Sequence, residues 1–320
     1  MEIEMLIQHG NKLFSPVVEE GITWTTERKD YPGQLTFKVL KDDILEITEG
    51  DAVRLKINGA NIFYGFIFKM QRDREQIITV TAYDQLRYFK NKDTYVYENK
   101  TAGEVIKMIT ADFNMQTGNI ENTGFKIASR VEENTTLFDI IQNALDLTLE
   151  NKKTMYVMFD DFGKIALKSL SSMELNVLID EETGENFDYT SSIDDKTYNQ
   201  VKLTYDNDET GKREVYIAKS TKNINQWGVL QHFDELQKGE NGQAKADALL
   251  NLYNSKTRNL SIKNAFGDVR VRAGSLIVVK LNLGDVKVEN FMLVEKCKHE
   301  FKGDEHFMTL TLRGGGDFVA

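Results

Sequence analysis

The chain has 320 residues, 50 acidic side chains against 40 lysines and arginines, a net charge of −10 at pH 7 and a single cysteine, Cys297. That length can bury a sizeable core and divide into two or three domains, and the acidic balance, with no basic stripe, argues against a phosphate-backbone binder. One cysteine excludes an internal disulfide framework and fits a reducing site of synthesis.

The N-terminal MEIEM lacks a positive region ahead of an apolar stretch, and no run approaches the ~20 apolar residues of a membrane span. Synthesis in the cytoplasm without a secretory signal, and no membrane partner, are the expectations. Pro16 and Pro32 are the only prolines, and no Ser/Gly/Pro-rich linker occurs, so domains are expected to join through short or structured connections.

Residues 1–92 read as strands. Leu35, Phe37 and Val39 alternate with Thr36 and Lys38, and Val53, Leu55 and Ile57 alternate with Arg54 and Lys56, the period of a chain that buries one face and wets the other. Asn58-Gly59 then supplies the two positive-φ positions of a type I′ turn before IFYGFIF returns. A further strand, IITVTAY, closes this segment near residue 83. The period changes over 93–185. Thr101 with Glu104 forms a capping box ahead of Val105, Ile106, Ile109 and Phe113, predicting a helix over 101–114. Thr135 or Thr136 starts a second helix whose stripe is Leu137, Ile140, Ile141, Ala144 and Leu145. TMYVMF and KIALKSL are short strands around an Asp160-Asp161-Phe162-Gly163 turn.

Strands resume over 186–320 as NQVKLTYD and REVYIAKS. A helix over 242–256 presents Leu249, Leu250 and Tyr253, and the chain ends as β. If Gly303-Asp304 is a two-residue turn, Leu293, Cys297, His299 and Phe301 share a face with His306, Met308, Leu310 and Leu312. The outer face then carries Lys296, Lys298, Glu300, Thr309 and Thr311, whereas a slip by one residue would bury the lysines. Gly50, Val53, Leu55, Lys56, Ile57 and Asn58 match Gly274, Ile277, Val279, Lys280, Leu281 and Asn282 at identical spacing, the mark of a duplicated barrel-like unit. The fold class is therefore α+β, mainly β, with two related barrel-like domains, 1–92 and 186–320, and a small α+β domain, 93–185, between them.

Candidate chemistry is sparse. Asp206-Asn207-Asp208-Glu209-Thr210-Gly211 opens like a calcium loop, but Ile217 stands at the twelfth position and strands flank it, so a polar hairpin turn is the better reading. Cys297, His299 and His306 are zinc-type ligands, yet the register turns them inward beside Phe301 and Leu310, with no fourth ligand. Glu132, Glu133, Asp160, Asp161, Asp194 and Asp195 could pair as a glycosidase would need, but nothing in the sequence marks an apolar pocket to raise one of them. The four histidines, His9, His232, His299 and His306, accompany no nucleophile elbow. GDVRVRAG has an arginine where a phosphate loop needs glycine, and Gly314-Gly315-Gly316 reads as a flexible tail. No catalytic, cofactor-binding or metal-ligating residue is assigned, no cofactor is expected, and the chain is expected not to be an enzyme. Most of the aromatics, Trp24, Phe37, Phe63, Tyr64, Phe66, Phe68, Tyr83, Tyr88, Tyr95 and Tyr97, are read as core.

The run EGDAVRLKINGANIFYGFIFKMQRDREQIITVTAYDQLRYFKNKDTYVYENKTAGEVIKMI resembles the N-terminal half of the XkdQ/YqbQ family of tail proteins from PBSX-like prophages and tail-like bacteriocins. The run RVRAGSLIVVKLNLGDVKVENFMLVEKCKHEFKGDEHFMTLTL resembles the closing barrel of the wider late control protein D and baseplate hub family. Tyr83-Asp84-x-Leu86, and a glycine followed by a hairpin ending in His299-x-Phe301, carry the resemblance. It implies a baseplate hub of a contractile tail: a homotrimer whose duplicated tube-like domains present a pseudo-sixfold ring to the hexameric tube and join it to the spike. The lumen is then expected to be polar and acidic, with no nucleic-acid binding beyond passage. Expected partners are the chain itself, the tail tube protein, the spike protein and other baseplate proteins, a LysM-containing neighbour among them. The alternative is a peptidoglycan-binding or wall-hydrolysing tail component, because the middle domain faintly resembles LysM modules.

Overall fold

The computed structural model describes residues 1–19, 21–194, 197–207, 210–236, 241–282 and 287–314. Its first unit follows from the alternation of apolar residues. β1 (Ile3–His9), β2 (Lys12–Phe14), β3 (Ile22–Glu27), β4 (Gln34–Leu40), β5 (Ala52–Ile57), β6 (Ala60–Arg72) and β7 (Ile77–Tyr83) pair antiparallel in the order β3-β4-β7-β6-β5-β1-β2. Leu35, Phe37, Val39, Val53, Leu55, Ile57 and Val80 point into one core. Asn58 and Gly59 take φ of 48° and 78°, the left-handed pair that a type I′ turn requires.

The middle unit packs two helices on short strands. A 3-10 turn (Gln85–Lys90) capped by Asp84 leads into β8 (Lys92–Lys100), α1 (Ala102–Asp112), β9 (Thr117–Ile120), β10 (Ile127–Thr136), α2 (Leu137–Lys152), β11 (Tyr156–Asp160) and β12 (Ile165–Ser169). The capping box forms as expected: the Thr101 backbone N–H donates to Glu104 Oε2 at 2.7 Å, and the Glu104 N–H to Thr101 Oγ1 at 3.3 Å. Val105, Ile106, Ile109, Leu137, Ile140, Ile141 and Ala144 are buried together. β8 pairs with β10, and β12 lies between β11 and β9.

The second β unit starts at β13 (Glu174–Asp180), ahead of the 185/186 boundary drawn from sequence, and continues with β14 (Asn186–Ser192). The chain then leaves it. β15 (Gln200–Asn207), β16 (Lys212–Lys219), α3 (Thr221–Trp227), β17 (Gln231–Glu235) and α4 (Gly242–Tyr253) form an inserted module with a separate β16-β15-β17 sheet. This differs from the single barrel-like unit with one helix read over 186–320. The physical reason is local: Val201, Leu203, Ala246 and Leu249 bury one another, so the hairpin and α4 have no need of the larger sheet.

The second unit resumes with β18 (Thr257–Phe266), β19 (Leu276–Asn282), β20 (Lys287–Lys302) and β21 (Glu305–Gly314), in the order β14-β18-β21-β20-β19-β13. The final hairpin has the expected register, with Phe301 opposite His306, His299 opposite Met308 and Cys297 opposite Leu310. Leu293 is the exception. A bulge between Val294 and Lys296 puts Val294 in the core with Leu312 and turns Leu293 toward Val157 and Leu170 of the neighbouring segment. Gly314 belongs to β21, opposite Arg258, rather than to a tail; Gly315 and Gly316 lie outside the described residues.

The two β units are one continuous sheet. β20 is 16 residues long; its first half pairs with β19, and its second half pairs with β3 of the first unit from Lys296↔Glu27 to Phe301↔Ile22. Arg28 closes this seam with a two-toothed contact to Glu295, at 2.7 and 3.0 Å.

Candidate assembly surface

The residues considered for catalysis or metal binding fall in different surroundings. Glu132 is buried and bonded to Arg130 and Asn143, at 3.3 and 3.1 Å. Glu133 and Asp161 are exposed, and Asp194 lies in a bend beside Ser192. Asp195, Asp208 and Glu209 lie outside the described residues. Asp206 is gripped by Arg213 through two bonds of 2.6 and 2.7 Å at the end of the β15–β16 hairpin, and Ile217 is an ordinary β16 residue. His9 bonds Asp51 at 3.0 Å, and His232 packs against Tyr198 and Tyr253.

Cys297, His299 and His306 do converge. His299 Nε2 lies 2.8 Å from the Val271 carbonyl and its Nδ1 lies 2.9 Å from His306 Nε2. A carbonyl can only accept, so the His299 proton sits on Nε2, and Nδ1 accepts from His306. Burial holds His299 near a pKa of about 3 and His306 near about 4, and pushes the Cys297 thiol up. Stacked on Trp24 at 4.8 Å, the trio is a neutral hydrogen-bonded plug of the seam.

A second polar cluster was not foreseen from the sequence. Asp84, at the end of the first unit, accepts from the Gly33 and Leu86 N–H groups at 2.9 and 3.0 Å. Asp160, in the middle unit, accepts from the Gly163 N–H at 2.6 Å and the Gln85 N–H at 3.4 Å. Arg272, from the second β unit, faces both; its guanidinium lies 4.2 Å over the Phe159 ring, and its buried Nε has no hydrogen-bond partner. Burial, with the neighbouring Asp160 charge, pushes the Asp84 pKa well up, and burial raises Asp160 to about 6. Burial also lowers Arg272 from its ordinary value. These groups are shifted as an active-site pair would be, but at 4% and 5% exposure the two carboxylates meet packed protein, and a polymer substrate has no access to them. They bolt three units together.

What lies open is apolar and edge-like. On the inserted sheet, Val215, Ile217 and Phe233 are about half exposed, on strands whose neighbour pairs align Ile217, Lys202 and Phe233. Val96 and Val131, directly opposite each other on the β8–β10 ribbon, are 67% and 57% exposed. β14 has a neighbour on one side only, and β6 beyond Ile67 has none on its β5 side, among the described residues. Exposed apolar patches and unpaired edges are the features of surfaces that meet other chains. No helix among the described residues is long and apolar enough to cross a membrane.

Residues 22–313, which take in the first β unit from β3 onward, the middle unit, the insert and the second β unit, match the family described as YQBQ-like. The chain belongs to the YQBQ-like family. Within reach of that family, it is 33% identical over 273 residues to the phage-like element PBSX protein XkdQ of Bacillus subtilis strain 168, covering 82% of this chain and 81% of that one. Its fold is that of the 43 kDa tail protein of prophage MuSo2 from Shewanella oneidensis, with TM-score 0.71, 11% identity, and coverage of 99% and 100% of the two chains. It is also similar to the E. coli c3393 protein, a component of the type VI secretion system described as structurally similar to T4 bacteriophage tail proteins gp27 and gp5. That TM-score is 0.58, at 10% identity, over 98% of this chain and 76% of that one.

The two stretches that carried the resemblance in sequence sit at the inter-unit contacts. Asp84 of Tyr83-Asp84-x-Leu86 joins the buried cluster, and His299-x-Phe301 lies on the seam. Arg272 is the second of two arginines in GDVRVRAG, and nothing in that stretch pointed to its partners, which lie on distant segments of the chain.

Proposed function

We propose that the chain is a structural, non-catalytic component of a phage-type tail, the baseplate hub that joins the hexameric tail tube to the central spike as a homotrimer. The observation that carries this reading is duplication. Each chain offers two β units with the same six-strand order, so three chains supply six units to a sixfold partner, and a cyclic trimer acquires twice its apparent symmetry. Kinship with a PBSX protein and fold likeness to a prophage tail protein and a type VI secretion component support a tail or tail-like particle as the setting. The exposed apolar faces of the insert and the β8–β10 ribbon are the natural contacts for tube, spike and other baseplate proteins, and the net charge of −10 suits a lumen with weak affinity for nucleic acid in transit.

Immunogold labelling of particles opened at the baseplate is the test. Gold at the distal end of the tail tube is the expected outcome; antigen that stays soluble while intact tails sediment unlabelled would sink the hub reading.

A further inference from the structure

The internal repeat extends well beyond the six residues visible in sequence. Gly50 and Gly274 have φ of 94° and 93°. The N–H of each donates at 2.8 Å to a carbonyl on the next strand, that of Ile67 and that of Val294, and Ile67 and Val294 each donate back at 2.9 Å, to Asp51 and Ser275. Both return strands bulge at that point, β6 between Ile67 and Lys69 and β20 between Val294 and Lys296. The units differ at the far edge, where β1 runs antiparallel to β5 and carries β2, whereas β13 runs parallel to β19.

Carried through the registers, the match sets Ile67↔Ala82 on Val294↔Leu312, Leu35 on Leu260, and Trp24 on Tyr189. β3 then reads Ile22-Thr23-Trp24-Thr25-Thr26-Glu27 against Phe187-Asp188-Tyr189-Thr190-Ser191-Ser192 of β14. The patterns agree; the surroundings do not. β3 is buried at every second residue because β20 covers its outer edge, whereas β14 is exposed at five of seven positions and has β18 alone. Conversely, Lys296 to His299 of β20 hold β3, while the equivalent residues Lys69 to Arg72 of β6 hold no strand on that side. Met70 and Arg72 of this stretch line an open groove of about 530 Å³ together with His9, Leu45, Ile47 and Ile78.

We propose that this groove receives β14 of a second copy of the chain, in the register of the internal seam. Lys69, Met70, Gln71 and Arg72 then stand opposite Ser192, Ser191, Thr190 and Tyr189 of the partner subunit. Strand addition satisfies the backbone donors and acceptors left bare on both edges. Arg72 occupies the place of His299, and Tyr189 that of Trp24, so a guanidinium over a tyrosine ring replaces the imidazole-indole stack of the seam. The Lys296–Glu27 ion pair, 2.6 Å long, has no counterpart, because Ser192 stands where Glu27 does; the contact is carried by backbone bonds and the aromatic residue. Among the described residues the two edges lie on different strands, β6 and β14, which makes the contact head-to-tail, closing into a ring or running on as a filament. Closure at three copies rests on the hub reading.

The test is disulfide trapping in the full chain. Gln71 and Thr190 are both exposed, so Q71C/T190C is expected to fold, and residues directly opposite across an antiparallel pair fall within disulfide reach. Oxidation should give covalent oligomers ending at the trimer on a non-reducing gel. Q71C alone, T190C alone and Q71C/D188C, two residues or about 6.8 Å out of register, should give none; Cys297 is fully buried and stays silent. Light scattering on the unmodified chain separates the two claims. A trimer in solution without the Q71C/T190C link overturns the edge pairing and leaves the hub reading standing. Links that run to open ladders uphold the edge pairing and overturn the trimeric hub. A monomer with no link at the highest soluble concentration overturns the pairing as a self-association contact.

Discussion

At the scale of single residues, Asp160 and the histidine plug act on stability in opposite directions as pH changes. Burial raises the folded Asp160 pKa to about 6, against an ordinary carboxylate value near 4 in the unfolded chain. Below about pH 4 both states hold the proton. As pH rises toward 6 the unfolded chain releases it and the folded chain does not, so stability is lost across that window. His299 and His306, held near about 3 and about 4, do the reverse. The unfolded chain takes up protons below about 6.5 that the folded chain refuses, so stability falls as pH drops from about 6.5 toward 4. Asp160→Asn keeps an oxygen to accept from the Gly163 N–H, removes the first effect and takes away the charge that helps push Asp84 up, while leaving the histidine plug as it is. Its stability relative to wild type should improve between pH 4.5 and pH 7 by up to about 2 kcal/mol, at roughly 1.4 kcal/mol per unit of pKa. Urea unfolding at the two pH values checks this, and an unchanged difference would show that Asp160 is not held proton-bound in the fold.

At the scale of elements, the duplicated glycines offer a graded comparison. Both lie in the left-handed region, where a side chain is strained by about 1 kcal/mol. An added Cβ at Gly50 meets nothing within 4 Å, whereas at Gly274 it would collide with Val157 Cγ1. Gly50→Ala should therefore cost about 1 kcal/mol, and Gly274→Ala about 2 kcal/mol or more, since Val157 is buried and has little room to retreat. Equal midpoints in thermal melts of the two variants would contradict the close packing of the middle unit on this turn. The same elements show what sequence can carry. The capping box, the Asn58-Gly59 turn and the final hairpin were legible because a few adjacent residues decide them. The membership of β15 and β16 was not, because alternation says that a strand is half-buried without saying in which sheet. α3 escaped notice because it buries no residue and so has no apolar stripe. Asp84 and Asp160 stood out in sequence, one in the Tyr83-Asp84-x-Leu86 stretch and one among the candidate acids, but their meeting with Arg272 was not legible because three distant units supply the groups.

At the scale of the molecule, the seam decides how the chain unfolds. Had the two β units been separate barrels on a flexible joint, each would open on its own. Instead β20 serves both, and β3 is covered by it over six residue pairs; the first unit cannot release β3 without exposing Trp24, Cys297, His299 and Phe301, all buried. The inserted module lacks this coupling, since its sheet is separate and its core small. The two tryptophans report on the two cases: Trp24 lies on the seam and Trp227 ends α3. In Trp227→Phe, where Trp24 is the sole fluorophore of its kind, the fluorescence transition in denaturant should coincide with the main loss of β circular dichroism, with a slope that reflects the area of both units. In the unmodified chain, an added earlier fluorescence change from Trp227 would mark the insert opening first. If Trp24 instead reported at a lower denaturant concentration than the bulk of the sheet, the seam would be a docked contact rather than shared structure. The internal template for joining one copy to the next would then be a weak one.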